Sequence, residues 1–158
     1  MKAVIVMGSK SDLEHAKSVA EKIRFFGIDV VMRVASAHKT PLKVLEILKE
    51  FEGEDVVFVT VAGRSNALSG FVDANTVKPV IAAPPYSDEF CGADVFSSIR
   101  MPSGVAPMLV MEPENVALAV AKIFALKSEE VARRVREYQE AKRREVEEGD
   151  EVVRSGQR

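Results

Sequence analysis

Cys91 is the only cysteine in the chain, which excludes an intrachain disulfide and any cysteine-built metal cluster and makes a reducing cytoplasm the simplest home. Tryptophan is absent and there are only two tyrosines and two histidines. A flavin stacked between aromatic rings and a zinc site of clustered histidines and carboxylates both lack their residues. No apolar run nears the roughly 18 residues of a membrane span. The apolar residues after Met1 (Ala3-Val4-Ile5-Val6-Met7) are too few for a signal peptide. A dominant charge is missing too: 22 Lys and Arg stand against 24 Asp and Glu, a net charge of −2. A general nucleic-acid binder would show a basic patch or stripe. An anionic small ligand is compatible with this charge, because single loops can carry the opposite sign. Asn and Gln are scarce beside the charged residues, a composition that leans towards a thermophilic source.

What is present is an alternation of strands and helices. The length of 158 residues suits one domain with a full core. Near-continuous apolar runs at Lys2–Met7, Ile28–Val34, Asp55–Val61, Pro79–Ala83 and Pro107–Met111 predict strands. Helical spacing predicts helices at Asp12–Phe26, Pro41–Phe51, Ala67–Ala74 and Glu114–Leu126. Pro41 suits a first helical turn. Buried strands between helices imply a parallel sheet covered on both faces. The expected fold is therefore α/β, a three-layer α/β/α sandwich around a five-stranded parallel sheet in the flavodoxin-like order 2-1-3-4-5, plus a C-terminal helix. Residues 1–126 form the α/β body of the domain in this reading. Residues 127–158 are a helical extension of the same domain that begins at Ser128-Glu129-Glu130 and frays from about Gly149. The extension's stripe of Val131, Val135 and Tyr138 belongs either to a solvated helix or to a contact with a neighbouring subunit.

Three strands end in polar loops: Gly8-Ser9-Lys10-Ser11-Asp12, Ser36-Ala37-His38-Lys39-Thr40-Pro41 and Val61-Ala62-Gly63-Arg64-Ser65-Asn66. In open α/β sheets, ligands bind in the crevice at the strand carboxyl ends. Ser9, Ser11, Ser36 and Ser65 bring hydroxyls there, and the following helix N-termini present free N–H groups to an anion. Lys10, Lys39, Arg64 and Arg100 add positive charge. Asp12 serves either as a helix cap or as an acceptor for ribose hydroxyls. His38 has the side chain suited to proton transfer near neutral pH. His15 lies off the apolar stripe of Leu13, Ala16, Ala20 and Ile23 and is expected to face solvent. Cys91 has no histidine near it in sequence and no expected role. A phosphoacceptor domain would need an aspartate where the third strand ends in Val61-Ala62-Gly63. A dinucleotide G-x-G-x-x-G is absent after the first strand.

Together these loops, with a fourth segment Ser97-Ser98-Ile99-Arg100-Met101-Pro102-Ser103-Gly104, resemble the phosphoribosylaminoimidazole carboxylase catalytic family of purine biosynthesis. The resemblance runs in order from about Ala3 to Leu126. The family has a mutase branch, whose third loop typically reads Gly-Gly-Ala-Ala-His and whose second carries Ser-Ala-His-Arg. Here Ala67 stands at the position of that mutase histidine and Lys39 at that of the arginine. Both departures resemble the class II branch, which carboxylates 5-aminoimidazole ribonucleotide (AIR) at ring carbon 4 with carbon dioxide, without ATP or biotin, to carboxyaminoimidazole ribonucleotide (CAIR).

The resemblance implies that His38 moves the ring proton. It implies that Gly8, Ser9, Ser11, Asp12, Ser36, Ala37 and Lys39 hold the ribose phosphate. Ala62, Gly63, Arg64, Ser65 and Asn66 would form the carbon dioxide and carboxylate pocket, with Arg64 either in the site or supporting the loop. Met101 and Pro102 would close over the base. No metal and no cofactor are implied. A homo-octamer with shared sites is implied, with a tetramer as the smaller alternative. Three apolar features agree with assembly: the long Pro84–Gly104 loop, the helix at Glu114–Leu126 that is apolar nearly all round, and the stripe on the tail helix. The alternatives are the N5-carboxyaminoimidazole ribonucleotide mutase activity and, from a different class, a non-catalytic nucleotide-binding module.

Overall fold

Along Lys2–Met7 and Val56–Val61, successive side chains point to opposite faces of the sheet, and almost every one is apolar and buried. Strands of this kind must be covered on both sides. A computed structural model describes residues 1–157 and shows how this is done. Strands β1 (Lys2–Met7), β2 (Asp29–Val34), β3 (Val56–Val61), β4 (Val80–Ala82) and β5 (Met108–Leu109) form one parallel sheet. The order is β2-β1-β3-β4-β5, as the alternating pattern predicts. In the central register Ala3 pairs with Val30 on one side and Val57 on the other. The helices are α1 (Leu13–Phe25), α2 (Pro41–Glu50), α3 (Ala67–Asp73), α4 (Phe96–Ile99), α5 (Pro113–Ala125) and α6 (Glu129–Ser155).

The pleat divides the core in two. Ala3, Ile5, Val57, Val59 and Ile81 face Ala16, Val19, Ala20 and Ile23 of α1, Val116, Val120 and Phe124 of α5, and Val131 and Val135 of α6. Val4, Val6, Phe58 and Val80 face Val44, Ile47 and Leu48 of α2 and Leu68 and Val72 of α3. Each fully buried aliphatic side chain contributes about 1.5–3 kcal/mol relative to exposure. The sheet is therefore a rigid floor for the loops at its carboxyl edge.

Three expectations about the helices change. The stripe of Val131, Val135 and Tyr138 is used within the chain: Val131 and Val135 are buried, and Tyr138 stacks edge-on against Phe25 and Phe26 with ring centroids 6.2 and 5.5 Å away. The all-round apolar α5 is likewise covered by the sheet, α1 and α6. Neither feature then requires a second subunit. The tail helix also runs past Gly149 to Ser155, and Arg158 lies outside the described residues. Its start is capped by Ser128, whose hydroxyl accepts from the Val131 N–H at 3.3 Å. Ion pairs one turn apart, such as Arg133–Glu137, Arg144–Glu140 and Arg154–Asp150, line its length and add helical support.

Arg134 of α6 also reaches the end of α1. Its guanidinium lies over Gly27, where an added Cβ would sit 2.6 Å from Nη1. Gly27 has φ +76°, so it both ends α1 in the left-handed region and leaves room for that arginine. Strand β5 is shorter than expected. It is an edge strand that pairs only with β4 and follows Pro107, which has no N–H to donate. Among the described residues, no helix is long and apolar enough to cross a membrane.

Candidate active site

In this strand order the chain leaves β1 towards β2 on one side and β3 lies on the other, so the loops after β1 and β3 diverge. The crevice there is the expected ligand position in an open α/β sheet. A cavity of about 640 Å³ occupies it, walled by the loops after β1, β2, β3 and β4.

The first loop is held by a reciprocal cap. The Ser9 hydroxyl accepts from the Ser11 N–H at 3.2 Å, and the Asp12 carboxylate accepts from the Ser9 N–H at 3.0 Å. Asp12 thus caps the turn at Lys10–Asp12 and also lines the cavity. Its side chain makes no capping bond to α1 itself, and its place on the cavity wall agrees with the ribose role. Burial raises its pKa, and the Ser9 N–H and the nearby His15 act in the opposite direction.

The second loop is a tight turn. The Thr40 N–H donates to the Ser36 carbonyl at 2.8 Å, and the Ser36 N–H donates to the Thr40 hydroxyl at 3.0 Å. The Lys39 N–H donates to the Ser36 hydroxyl at 3.3 Å. Pro41 then opens α2. These bonds present His38 at the crest, exposed on the cavity wall beside Lys39. Thr40 is the brace of this turn, a role the sequence motif contains but does not reveal.

The third loop is more constrained. Ser65 takes φ +41°, an uncommon value for a residue with a side chain. Arg64 pairs with Glu89 at 2.8 Å across the cavity mouth, with its side chain 79% exposed. Asn66 is turned away from the cavity. It caps α3, its Oδ1 accepting from the Ser69 N–H at 3.1 Å and the Ser69 hydroxyl at 2.9 Å. Its Nδ2 donates to the Ser98 hydroxyl at 2.8 Å, and its own N–H donates to the Ser97 hydroxyl at 2.8 Å. The Thr60 hydroxyl adds a 2.7 Å bond to Ser69. This buried network fastens the Gly63 loop to α4 and hence to the long loop after β4.

Of the residues singled out from sequence, Gly8, Ser9, Ser11, Asp12, Ser36, Ala37, His38, Lys39, Ala62, Gly63, Arg64 and Ser65 come together on the cavity wall. Asn66, Met101, Pro102, Lys10 and Arg100 do not line it. Met101 instead packs its sulfur against Gly70 of α3. Pro85, Tyr86, Ser87, Glu89 and Asp94 complete the wall. They lie after β4, in the long apolar loop whose far end, Met101 and Pro102, the family resemblance places over the base. Gly-rich and hydroxyl-rich composition marks the first three loops, whereas residues 85–94 of this one carry a single serine and a single glycine.

His15 corrects another expectation. It is half-buried rather than solvent-facing, and its Nε2 is enclosed with no hydrogen-bond partner. The buried stripe of α1 is Ala16, Val19, Ala20 and Ile23, and His15 stands one turn before Val19, on the flank of that stripe. Burial lowers its pKa from 6.5, against the Ala83 carbonyl, Asp12 and Glu112, which favour the charged ring. The unfolded chain therefore takes up this proton at a higher pH than the folded chain does. Between the two values the unfolded state holds more protons, so stability rises with pH there and falls as pH drops below about 6.5. Thermal unfolding followed from about pH 7.5 to 5 should show this fall in the wild type, with part of it absent in His15→Asn. An identical pH dependence in the two proteins would remove His15 as its source.

The profile of the AIR carboxylase family matches residues 2–145. A phosphoribosylaminoimidazole carboxylase of Archaeoglobus fulgidus is 75% identical over 98% of this chain and 86% of its own. One of Treponema denticola is 48% identical over 96% of each chain. The human bifunctional phosphoribosylaminoimidazole carboxylase/phosphoribosylaminoimidazole succinocarboxamide synthetase is 44% identical over 79% of this chain and 30% of its own. The crystal structure of Treponema denticola PurE superposes with a TM-score of 0.94 at 47% identity, covering 96% of this chain and 98% of that one. With four loops of one sheet converging on a single cavity and a profile match over nearly the whole length, this chain belongs to the AIR carboxylase family.

Proposed function

We propose that this chain carboxylates AIR at ring carbon 4 with carbon dioxide to give CAIR, without ATP. The observation that carries this reading is the placement of His38 and the Gly63–Ser65 loop on one cavity wall, with Ala67 beside them and no histidine in that loop. The names of the 75% and 48% identical relatives support it.

The aminoimidazole is an enamine, so electron density from its exocyclic nitrogen reaches ring carbon 4. That carbon attacks carbon dioxide and forms the new C–C bond. One C=O π pair moves onto oxygen to give the carboxylate, and the ring becomes a cationic iminium that still carries its C4 proton. Neutral His38 takes that proton, the C–H pair restores the aromatic ring, and the imidazolium returns the proton to water. In the reverse direction the imidazolium donates to C4 before carbon dioxide leaves. Little covalent assistance is needed, so alignment of the two reactants does most of the work. Ser9, Ser11, Asp12, Ser36 and Lys39 hold the ribose phosphate. Ala62, Gly63, Arg64 and Ser65 face the nascent carboxylate, and Arg64 exchanges Glu89 for it. Asn66 contributes by holding the loop. Met101 and Pro102 close over the base only where a neighbouring subunit or a loop shift brings them to the cavity.

We infer a homo-octamer, the count that the family resemblance implies; Phe90, Phe96 and Ile99 of the long loop, well exposed beside the cavity wall formed by Glu89 and Asp94, support assembly. The single exposed Cys91 suits a cytoplasmic location.

The deciding experiment supplies purified protein with AIR and bicarbonate, and separately with the N5-carboxylated ribonucleotide. CAIR formation that depends on AIR and bicarbonate is expected. Efficient use of the N5-carboxylated substrate, with no response to bicarbonate, would assign the mutase activity instead. Binding of AIR without either conversion would leave a nucleotide-binding module.

A further inference from the structure

Arg64 and Glu89 meet across the cavity mouth, 2.8 Å apart, and both line the cavity. The other permanent cation on that wall, Lys39, has no ion pair among the described residues. The fold thus leaves open the cation proposed for phosphate and covers the one proposed for the carboxylate. Both partners of the Arg64–Glu89 pair are more than half exposed, so the contact adds little to stability. The backbone that presents it is nevertheless unusual. A non-glycine residue with positive φ is uncommon. The three among the described residues all adjoin the pair: Ser65 follows Arg64, and Phe90 and Cys91 follow Glu89. Strain of this kind persists where the surrounding structure fixes it, and it gathers at ligand sites. Here the Glu89 N–H donates to the Ser87 hydroxyl at 3.2 Å, and the Cys91 N–H donates to the Asp88 carbonyl at 3.2 Å. A weak, exposed ion pair set between two constrained loops is a poor brace, and a ligand carboxylate can displace it.

The proposed reaction gives such a contact a task. Carbon dioxide is uncharged and gains little from a guanidinium. Bicarbonate, the commoner form of dissolved inorganic carbon at neutral pH, and other small carboxylates match the guanidinium fork with two oxygens. An uncovered Arg64 would hold them where carbon dioxide must lie against ring carbon 4. We propose that Glu89 is a specificity-determining residue of the carboxylate pocket: its carboxylate occupies Arg64 before carboxylation, keeps small anions off it, and yields to the carboxylate that forms on ring carbon 4. The proposal rests on the reading of the cavity as the site of AIR carboxylation. Glu89 is tethered beside Arg64, so it outcompetes anions that arrive from solution. The new carboxylate is tethered as well, by the bound ribonucleotide, and competes on equal terms. The same competition weakens the hold on CAIR and favours its release.

The test reads initial rates in both directions: KM for AIR during carboxylation, KM for CAIR during decarboxylation, and the inhibition constant of sodium formate against carboxylation. Glu89→Gln and Glu89→Ala are each expected to lower the CAIR and formate constants about three- to five-fold, near the ceiling for an exposed ion pair. KM for AIR should stay within about two-fold of wild type. Asp88→Asn removes the same charge one residue away, from an exposed side chain that does not line the cavity, and should leave all three constants within about two-fold. Arg64→Ala should raise KM for CAIR, and adding Glu89→Gln to it should change nothing further. If Arg64→Ala turns over too slowly for kinetics, CAIR survives long enough for its Kd to be measured by calorimetry instead. Equal tightening of AIR and CAIR, or the same effect in Asp88→Asn, would show a general field at the mouth and overturn the proposal. So would an effect of Glu89→Gln that persists in Arg64→Ala, or an unchanged constant for CAIR or for formate. Weaker CAIR binding in the Glu89 variants would make Glu89 a support for Arg64 and overturn it too. A wild-type protein that neither converts nor binds AIR and CAIR overturns the carboxylase reading and this proposal with it. Normal wild-type turnover with any of the other contrary results overturns the role of Glu89 alone.

Discussion

His38→Asn is expected to lower kcat by about 10²–10⁴-fold, the usual worth of a positioned acid–base group, while the affinity for AIR stays near that of the wild type. The separation follows from the turn that carries the residue. Ser36, Lys39 and Thr40 are fixed by bonds to one another, and none of those bonds uses the His38 side chain. Removing the imidazole should therefore leave the turn, with the groups of Ser36 and Lys39 proposed to hold phosphate, in place. Asparagine keeps a polar side chain at the crest but cannot accept the C4 proton. Single-turnover carboxylation together with calorimetric binding of AIR measures the two halves of this claim. Turnover within a few-fold of wild type would remove His38 from the mechanism. Loss of binding equal to the loss of rate would show that its ring holds the turn.

The largest stability effect is expected at Asn66, which the sequence placed in the carboxylate pocket and the fold places under it. Asn66→Ala removes the cap of α3, worth about 1 kcal/mol. It also strands the buried Ser98 hydroxyl, at a cost of about 1–3 kcal/mol, while the Ser69 hydroxyl keeps Thr60 as a partner. The sum, about 2–4 kcal/mol, corresponds to a Tm lower by roughly 5–15 °C for a chain of this size. Activity should fall as well, because the Gly63–Ser65 loop loses its anchor to α4. Asn66→Asp keeps the Oδ1 acceptor for Ser69 and loses the Nδ2 donor to Ser98, so its Tm should lie between the two. A calorimetric scan in which Asn66→Ala melts with the wild type while binding AIR weakly would return the side chain to the pocket.

The asparagine illustrates why part of the site was not legible. Its neighbours Gly63, Arg64 and Ser65 do reach the cavity, and nothing in composition separates residue 66 from them. The partners that claim its side chain, Ser69 and Ser98, lie 3 and 32 residues away. Only the docking of α4 on α3 brings the second of them within reach. The half-burial of His15 has a related cause: the helix face of Leu13, Ala16, Ala20 and Ile23 also includes Val19, one turn from His15, and α1 packs on α5, far along the chain. Tyr86, Glu89 and Asp94 entered the cavity wall without any local signal, since their loop closes over the crevice through tertiary contacts.

The sequence by itself determined the fold class, the strand order and the three loops that meet at the sheet's carboxyl edge. Each of these follows from local rules: apolar strands buried on both faces, right-handed crossovers, and a chain that must leave every parallel strand at the same end. It also determined that His38 would stand in that crevice. The tertiary structure alone decided which side chains of those loops face the cavity and which are held beneath it. It alone decided that the stripe of α6 would meet Phe25 and Phe26 of the same chain rather than a neighbour. The difference is one of range. Pattern and capping are settled within a few residues, whereas the direction of a single polar side chain is settled by whichever distant donor or acceptor the packed core brings within about 3 Å of it.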